Sequence, residues 1–309
     1  MKKMFFAAVT LFAVGLFAMD AVLAFTVDPS LISTVLNPGE AKNLKVTLSN
    51  NSETPLAIQP KIYSATAGNN ETGFPTYVPA QEGDTLANWI TFINTETRVM
   101  LNANESKDVA FTISAPADAA PGGHYAAIGW GVITDPTADA GATVSGEIMT
   151  NVALDVPGVV FEKGAIASFS TKDNRTTYDR LPIDFSVRVS NEGNRHFKPT
   201  GTIIIKDMLG RTAASLPVNE AIVGGGNVLP NSTREFKTVW KEGFALGTYT
   251  ATANLVLGSA GTASASYSFW VLPTALLVIW GLIALVIIAF IVLFVLIARK
   301  KKTANRAQQ

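Results

Sequence analysis

The stretch PGGHYAAIGWG, residues 121–131, places a glycine turn, a histidine and two aromatic residues side by side. His124 could belong to an active site, because histidine is the side chain whose charge changes most readily near neutral pH. The same residues could instead form a tight turn that begins a β-strand, because glycine accepts the backbone angles of tight connections. The choice depends on whether partners for chemistry converge on His124.

The sequence offers few such partners. The second of its two histidines, His196, falls in another predicted domain, whereas a zinc site or a Ser-His-Asp arrangement needs its residues in one place. Asp135 and Asp139 lack the regular spacing of a calcium loop and favour a hairpin loop. GGGN at 224–227 precedes no helix and is not a phosphate-binding loop. We therefore expect no enzyme activity, no cofactor and no metal site.

Both ends of the chain carry targeting patterns. Residues 1–24 resemble a secretory signal peptide, with two lysines before an apolar run and with Val22 and Ala24 at the positions that a signal peptidase reads. The chain has no cysteine, so a lipoprotein anchor, which needs cysteine at the cleavage point, is excluded.

Residues 273–298 predict a transmembrane helix, because the run from Ala275 to Ala298 has no charged side chain and is long enough to cross a bilayer. Cationic residues beside a span stay on the cytoplasmic side. The body should therefore lie outside the cytoplasm, with residues 299–309 as a cytoplasmic tail. Trp270 and Trp280 should sit near the outer headgroups. The cationic residues that set this topology are Arg299, Lys300, Lys301 and Lys302.

A sortase signal is the alternative for this end of the chain. Leu272-Pro273-Thr274 precedes an apolar stretch and a basic tail, but the LPxTG motif is incomplete. Permanent anchoring by the helix is the better interpretation.

Charge excludes one class of partner. Basic and acidic residues are balanced at 24 each, yet several basic residues lie in the two terminal segments, so the body between them is mildly acidic. No block of like charge would direct it to nucleic acid.

The pattern between residues 26 and 272 predicts strands. IDFSVRVSN (183–191) and LKVTLSN (44–50) alternate apolar and polar residues, as half-buried strands do. Gly, Pro or Asn clusters interrupt the region about every ten residues. We predict an all-β fold of two tandem Ig-like antiparallel β-sandwich domains, residues 25–157 and 158–272, followed by the transmembrane α-helix.

The two halves also resemble each other. LKVTLSNNSETPL (44–56) corresponds to FSVRVSNEGNRHF (185–197), since each strand ends in Ser-Asn and a polar turn. APGGHYAAIGWGVI corresponds to ALGTYTATANLVLG, and in both a glycine turn delivers a tyrosine, Tyr125 or Tyr249, onto a strand. The second copy has Thr248 in place of His124. This favours a turn over an active site at the opening stretch.

Residues 64–88 stand out as a long polar insertion loop with Phe74 and Tyr77. A long connection without regular structure is usually functional or disordered. The two aromatic side chains could be binding residues for carbohydrate or protein. They could equally fold down and close the end of the sandwich.

Several segments resemble one family of Gram-positive surface proteins. They are LNPGEAKNLKVTLSN, the stretch after Thr66 with Asn70, Gly73 and Tyr77, APADAAPGGHYAAI, and VRVSNEGN followed by GTIIIKDMLGR. With the signal peptide, span and basic tail, they resemble the WxL-interacting proteins. The resemblance implies a first domain that binds peptidoglycan, a second that binds host matrix or partner proteins, and a WxL protein as neighbour.

Our leading hypothesis is a non-enzymatic, single-pass surface protein of the cell membrane. Its Ig-like domains would bind cell-wall polymer or a surface protein, as in adhesion, and its helix the lipid bilayer. The rival hypothesis is a membrane-tethered assembly chaperone that offers an edge strand to secreted subunits. The chain resembles pilus-chaperone-like sandwiches more distantly, but it has a permanent anchor and lacks an evident basic pair for a client's carboxyl terminus.

Overall fold

The computed structural model describes residues 25–306, apart from 69–70, 81–82, 84, 94–97, 134–143, 221–224 and 244. The predicted signal peptide at 1–24 and the residues Asp135 and Asp139 lie outside the described residues. In the C-terminal helix, the side chains beyond Leu296 also lie outside them.

The N-terminal half forms two sheets around one core. One sheet has the order β1-β3-β8-β6, and the other has the order β2-β10-β9-β4-β5 with β7 beside β4. The core includes the fully buried Phe111 and Trp130. The elements are β1 (Phe25–Asp28), β2 (Leu31–Val35), β3 (Ala41–Asn50), β4 (Leu56–Ala67), β5 (Pro75–Pro79), α1 (Leu86–Trp89), β6 (Ile90–Phe92), β7 (Val99–Leu101), β8 (Ser106–Ser114), β9 (Gly122–Ile133) and β10 (Val144–Val156).

The C-terminal half repeats this arrangement. Its sheets have the orders β11-β13-β16 and β12-β18-β17-β14-β15, and its core includes the fully buried Phe185 and Phe269. The strands are β11 (Gly164–Thr171), β12 (Thr177–Tyr178), β13 (Ile183–Asn191), β14 (Pro199–Asp207), β15 (Thr212–Val218), β16 (Ser232–Trp240), β17 (Gly247–Leu257) and β18 (Thr262–Val271), with a short 3-10 turn at Gly258–Ala260.

The all-β prediction is confirmed, and its cause is visible in β13. Ile183, Phe185, Val187 and Val189 are all buried, as the period-2 pattern predicts. Two pairings differ from the antiparallel rule, since β10 pairs with β2 and β12 pairs with β18 in parallel. In each half, the parallel pair joins a short early strand, β2 or β12, to the last strand of that half, β10 or β18.

A buried asparagine ends the equivalent strand in each half. Asn50 ends β3 and donates to the carbonyls of Thr54 and Asn102, both at 2.8 Å. Asn191 ends β13 and donates to the carbonyls of Arg195 and Val228, at 2.8 and 2.9 Å. Both side chains are at most 2% exposed. The repeated Ser-Asn of the sequence therefore marks the same buried hydrogen-bonding device.

Residues 64–88 contain regular structure instead of a continuous loop. β4 extends to Ala67, and β5 returns beside it with Ala67 opposite Pro75 and Tyr63 opposite Pro79. Residues 86–89 then form α1. The polar composition concealed this hairpin, which we call the β4–β5 arm (residues 64–79), because an edge hairpin buries few of its side chains.

One helix follows the second sandwich. α2 (Thr274–Arg306) begins three residues after Val271, the last residue of β18. Its segment Thr274–Leu296 is long and apolar enough to cross a bilayer, and its side chains contact no other part of the described chain closely enough to be buried. The backbone amide of Thr274 donates to Asp179 Oδ1 at 2.6 Å, which joins the start of the helix to the sandwich.

Candidate binding site between the two sandwiches

Tyr125 joins the two sandwiches through its hydroxyl group. This oxygen lies 2.7 Å from His196 Nδ1 and accepts a hydrogen bond from the His196 backbone amide at 3.0 Å. The Gly123 amide also donates to the Asn194 carbonyl at 2.8 Å. The opening stretch of the sequence is therefore part of the junction between the two halves.

Gly122 shows why this turn needs glycine. Its φ is +125°, which side chains rarely adopt, and a Cβ there would lie 2.5 Å from the Asn194 carbonyl oxygen. The side chain of Asn194 donates to the Pro121 carbonyl at 3.0 Å and accepts from the Phe161 amide at 2.8 Å. The Pro-Gly-Gly turn therefore allows the backbones of the two sandwiches to approach closely.

The predicted equivalence of Tyr125 and Tyr249 holds for their position after the turn but not for their surroundings. Tyr249 lies in the core of the second sandwich, with its ring 5.2 Å from that of Trp240. Tyr125 points away from its own core, because in β9 it is the neighbours Ala126 and Ile128 that join the core. A shift of one residue moves a strand side chain to the opposite face.

The β4–β5 arm reaches the second sandwich through its tip. The Glu71 carboxylate accepts from Arg188 Nε at 2.6 Å and also from Nη2, and the Glu71 carbonyl accepts from the Glu235 amide at 2.8 Å. The hydrogen bond from Arg188 lowers the pKa of Glu71 below its usual value. The arm is therefore held at its base by the pairing of β4 with β9 and at its tip by the second sandwich.

A cavity of about 340 Å³ lies between the two sandwiches and the arm. This volume is at the lower end of the range for ligand pockets, about 300–1,000 Å³. The first sandwich and the arm contribute small and apolar residues together with Tyr125 and Asn151, and the second sandwich contributes His196, Asn227 and the charged Arg234. The lining includes Leu31, Ala65, Gly73, Pro75, Tyr125, Asn151, Val152, His196, Gly226, Asn227, Leu229 and Arg234. We call this space the cleft.

Arg234 brings a positive charge to the cleft. Its Nη1 donates to the Asn227 carbonyl at 2.9 Å, and its guanidinium carbon lies 5.3 Å from the centre of the Phe236 ring. Nε is buried without a hydrogen-bond partner, and within the described ranges no carboxylate forms an ion pair with this side chain. Burial lowers the pKa of Arg234, although a guanidinium remains charged at neutral pH.

Two glycines shape the space around this guanidinium. A Cβ at Gly73 of the arm would lie 2.2 Å from the Arg234 guanidinium carbon, and a Cβ at Gly226 would lie 2.4 Å from it. Larger residues at either position would have to displace the charged group. The lack of side chains at these positions is therefore what gives Arg234 its place at the cleft.

Asn151 contributes an amide to the opposite wall. Its Oδ1 accepts a hydrogen bond from the Tyr77 hydroxyl at 2.8 Å. The Nδ2 group then remains as a donor, and no bond from it to a described residue is formed. Burial raises the pKa of Tyr77, so its hydroxyl keeps its proton and holds the Asn151 amide in this orientation.

The structure separates the two aromatic residues that the sequence grouped. Phe74 is 75% exposed at the arm, where it borders a small groove with Asn227 and Arg234. Tyr77 is half-buried and bonded to Asn151. His124 is held by the Ala120 carbonyl at 2.8 Å and by the Trp89 ring.

The predicted membrane residues lie at the other end of the second sandwich. Trp270 is 48% exposed on β18, and Trp280 is 66% exposed about two turns into α2. The backbone of Arg299, Lys300, Lys301 and Lys302 continues α2, while their side chains lie outside the described residues.

Sequence reasoning missed Arg234, Asn151 and His196 as residues of one site. They come from different strands and turns, and no local motif connects them. The glycine pair Gly225-Gly226 is the one sequence feature that indicates this site, because glycines outside a phosphate-binding loop allow a close approach of other groups to the backbone.

Within the described residues, no group of three or more His, Asp or Glu side chains is arranged to hold a metal ion.

Comparison with known proteins gives one family and several distant folds. No curated protein matches the chain. Among solved structures, the Class 5 fimbriae chaperone CfaA is 13% identical with a TM-score of 0.40, covering 78% of this chain and 98% of that chain. The CupB2 chaperone of Pseudomonas aeruginosa is 14% identical with a TM-score of 0.35, covering 77% and 97%. Similarity at this level carries no information on function.

The family comparison is more specific. Residues 34–130 match the family described as WxL Interacting Protein, peptidoglycan binding domain. The matched range begins in β2 and ends in β9, so it contains the β4–β5 arm and the turn at Gly122. The match confirms the resemblance inferred from the sequence, and residues 34–130 are similar to the peptidoglycan-binding domain of WxL-interacting proteins.

Proposed function

We propose that this protein is a non-enzymatic, membrane-anchored surface protein that binds peptidoglycan through its first sandwich. The observation that carries the proposal is the match of residues 34–130 to a peptidoglycan-binding domain family. The cleft supports it, because Ala65, Gly73, Pro75 and Tyr125 of the matched range contribute to the lining of a cavity large enough for a small ligand.

The arm supplies the proposed contact with the wall polymer. An exposed aromatic ring such as Phe74 is costly in water and is typical of a surface that stacks on a sugar or a partner. Tyr77 contributes differently, since it orients Asn151 beneath the arm. We therefore assign Phe74 a direct role in binding and Tyr77 an indirect one.

α2 is the proposed membrane anchor. Its 23 apolar residues would span about 35 Å at 1.5 Å per residue, slightly more than the hydrocarbon core of about 30 Å. The basic run Arg299–Lys302 would keep its C-terminal end in the cytoplasm. Residues 1–24 would act as the export signal, which places the two domains, 25–157 and 158–272, outside the cell membrane.

The end of the second sandwich nearest α2 is suited to contact lipid headgroups. Trp270 pairs with Thr248 on β17, and the turns beside this end expose Met208, Leu209 and Leu246. Because β18 joins α2 through only two residues, Trp270 lies four residues before the start of the helix. Tryptophan is enriched at that depth.

Cosedimentation with purified peptidoglycan tests the proposal. The full-length protein in detergent should sediment with sacculi from which proteins and secondary polymers have been removed. Phe74→Ala should reduce the bound fraction, whereas Phe161→Ala, which removes another exposed ring from the segment between the sandwiches, should not.

Two results would contradict it. Absence of sedimentation would exclude peptidoglycan as the ligand. Binding of unfolded secreted subunits, blocked by proline substitutions along an edge strand, would favour the assembly chaperone.

A further inference from the structure

We infer that the cleft binds a peptide carboxylate, and that this carboxylate belongs to the stem peptides of peptidoglycan. The inference rests on the proposed function, because peptidoglycan supplies the ligand. It goes further by assigning Arg234 and Asn151 as the groups that hold the ligand.

The charge of Arg234 is the first argument. Arg234 is half-buried and its Nε is fully buried, and burying part of a cation is costly where neither an anion nor hydrogen bonds compensate it. Arg234 has one carbonyl partner, an unpaired Nε, and no carboxylate partner among the described residues. Other arginines near the junction differ, since Arg188 pairs with Glu71 and Arg195 pairs with Asp155 at 2.9 Å. A ligand carboxylate would supply the missing anion.

The geometry of the cleft is the second argument. A guanidinium presents a planar set of donors that matches a carboxylate, and such charge-assisted bonds are among the strongest in proteins. Gly73 and Gly226 pack close to the guanidinium and carry no side chain that would displace it from the cleft. The Asn151 amide adds a neutral donor across the same cavity.

The walls of the cleft indicate what the carboxylate is attached to. Ala65, Pro75, Val152 and Leu229 form an apolar lining, which suits the methyl groups of alanine residues. Stem peptides of peptidoglycan are short, rich in alanine, and end in a free carboxylate. A bare inorganic anion would leave this apolar surface unused.

The test compares a soluble muramoyl peptide that ends in D-alanine with the same compound amidated at its carboxyl terminus. Calorimetry with the full-length protein in detergent should show at least tenfold tighter binding of the acid. Equal affinities for acid and amide would overturn the inference, and this comparison needs no variant that could misfold.

Variants then locate the site. Arg234→Gln should bind acid and amide equally, and Gly226→Ala should weaken the acid at least fivefold, because its methyl group displaces the guanidinium. Arg211→Gln serves as the control, because it removes an exposed arginine paired with Asp207, and its preference for the acid should be unchanged. If Arg234→Gln still prefers the acid tenfold, the site lies elsewhere.

Two further measurements identify the source of the carboxylate and distinguish failure of this inference from failure of the proposed function. An L-alanyl peptide acid of equal length should bind more weakly than the muramoyl peptide, and tighter binding of the L-peptide would assign the cleft to protein carboxyl termini and overturn the inference. Sedimentation with sacculi is run in parallel. Normal sedimentation together with equal binding of acid and amide would leave peptidoglycan binding standing and overturn only the carboxylate site.

Discussion

The Tyr125 hydroxyl of the first sandwich and the His196 imidazole of the second form one hydrogen-bonded pair, with 2.7 Å between oxygen and Nδ1. The same oxygen accepts from the His196 amide, so the hydroxyl proton is free to be donated to Nδ1. Burial raises the pKa of Tyr125 and lowers the pKa of His196. Both effects favour neutral Tyr125 as donor and neutral His196 as acceptor at pH 7.

This pair predicts a pH dependence of stability. The pKa of His196 is lower in the folded protein than its ordinary value of 6.5, so the unfolded chain takes up this proton first as pH falls. The free energy of unfolding should therefore decrease from about pH 6.5 down through the folded-state pKa, with a contribution of at most about 1.4 kcal/mol per pH unit. Above pH 6.5 this contribution should be constant.

Urea unfolding between pH 5 and 8 measures the effect. His196→Gln should show a flatter dependence than the unmodified protein over the acidic part of the range. His124→Gln provides the control at the other histidine. If the unfolding free energy of His196→Gln depends on pH as strongly as that of the unmodified protein, protonation of His196 is not the cause of this dependence.

Substitution of either buried asparagine, Asn50 or Asn191, should lower the free energy of unfolding by a similar amount. Removing the buried side chain of Asn50 or Asn191 takes the donor from two backbone carbonyls in each half. Each alanine variant should lose about 2–3 kcal/mol of unfolding free energy. Asn43→Ala, on the exposed part of β3, should change it by less than about 1 kcal/mol. Clearly unequal losses for the Asn50 and Asn191 variants would contradict the equivalence, and an equally large loss for Asn43→Ala would contradict the role of burial.

Substitutions of Phe74 and Tyr77 should have different effects, the first on binding and the second on stability. Phe74 is mostly exposed, so Phe74→Ala should weaken binding to isolated cell wall by about 1–3 kcal/mol if it is an anchor, with little change in melting temperature. Tyr77→Phe removes the bond to Asn151 and should cost about 1 kcal/mol of stability. If Phe74→Ala binds normally and melts several degrees earlier, the ring is a structural plug.

The ion pair at the arm tip should matter little for stability. Glu71 and Arg188 are 31% and 43% exposed, and pairs in such positions contribute about 0–1 kcal/mol. Glu71→Gln should therefore leave urea unfolding nearly unchanged, as should Asp108→Asn in the exposed pair with Lys45. Hydrogen exchange of the arm should nevertheless increase in Glu71→Gln alone, because one of its attachments to the second sandwich is weakened.

The turn at Met208 and Leu209, which the proposed anchor would hold near the membrane, gives a further prediction. Met208 and Leu209 are 67% and 70% exposed beside the start of the span. In the protein reconstituted into vesicles, a fluorophore attached near Leu209 should be quenched by brominated lipids, whereas one attached near Ser33 at the cleft should not. Equal quenching at both positions would exclude contact between this turn and the headgroups.

Local patterns in the sequence were sufficient for strands such as β13 and for the helix α2, although not for the β4–β5 arm. The alternation in β13, the Ser-Asn strand ends and the uncharged run of α2 each depend on residues that are close in the chain. Physical rules of period and length apply directly to such segments. The match at residues 34–130 confirmed the resemblance drawn from them.

The cleft could not be predicted in the same way. Arg234 meets Gly73, and Tyr77 meets Asn151, only after separate strands have been brought together. Periodicity assigns a face to each residue but not a partner in another sheet. The one-residue difference between Tyr125 and Tyr249 shows the limit, because both follow a glycine turn and yet point to opposite faces.

The connection between β18 and α2 determines how the protein can search for its ligand. Only Leu272 and Pro273 separate strand from helix, and Thr274 is bonded to Asp179. β17 spans the second sandwich with 11 residues, roughly 35 Å at about 3.3 Å each. If α2 is the membrane anchor proposed above, the second sandwich acts as a stiff spacer of fixed height. Ligand capture would be confined to the layer of wall at that distance from the bilayer, and a flexible linker inserted at Leu272 would widen the layer that the protein can sample.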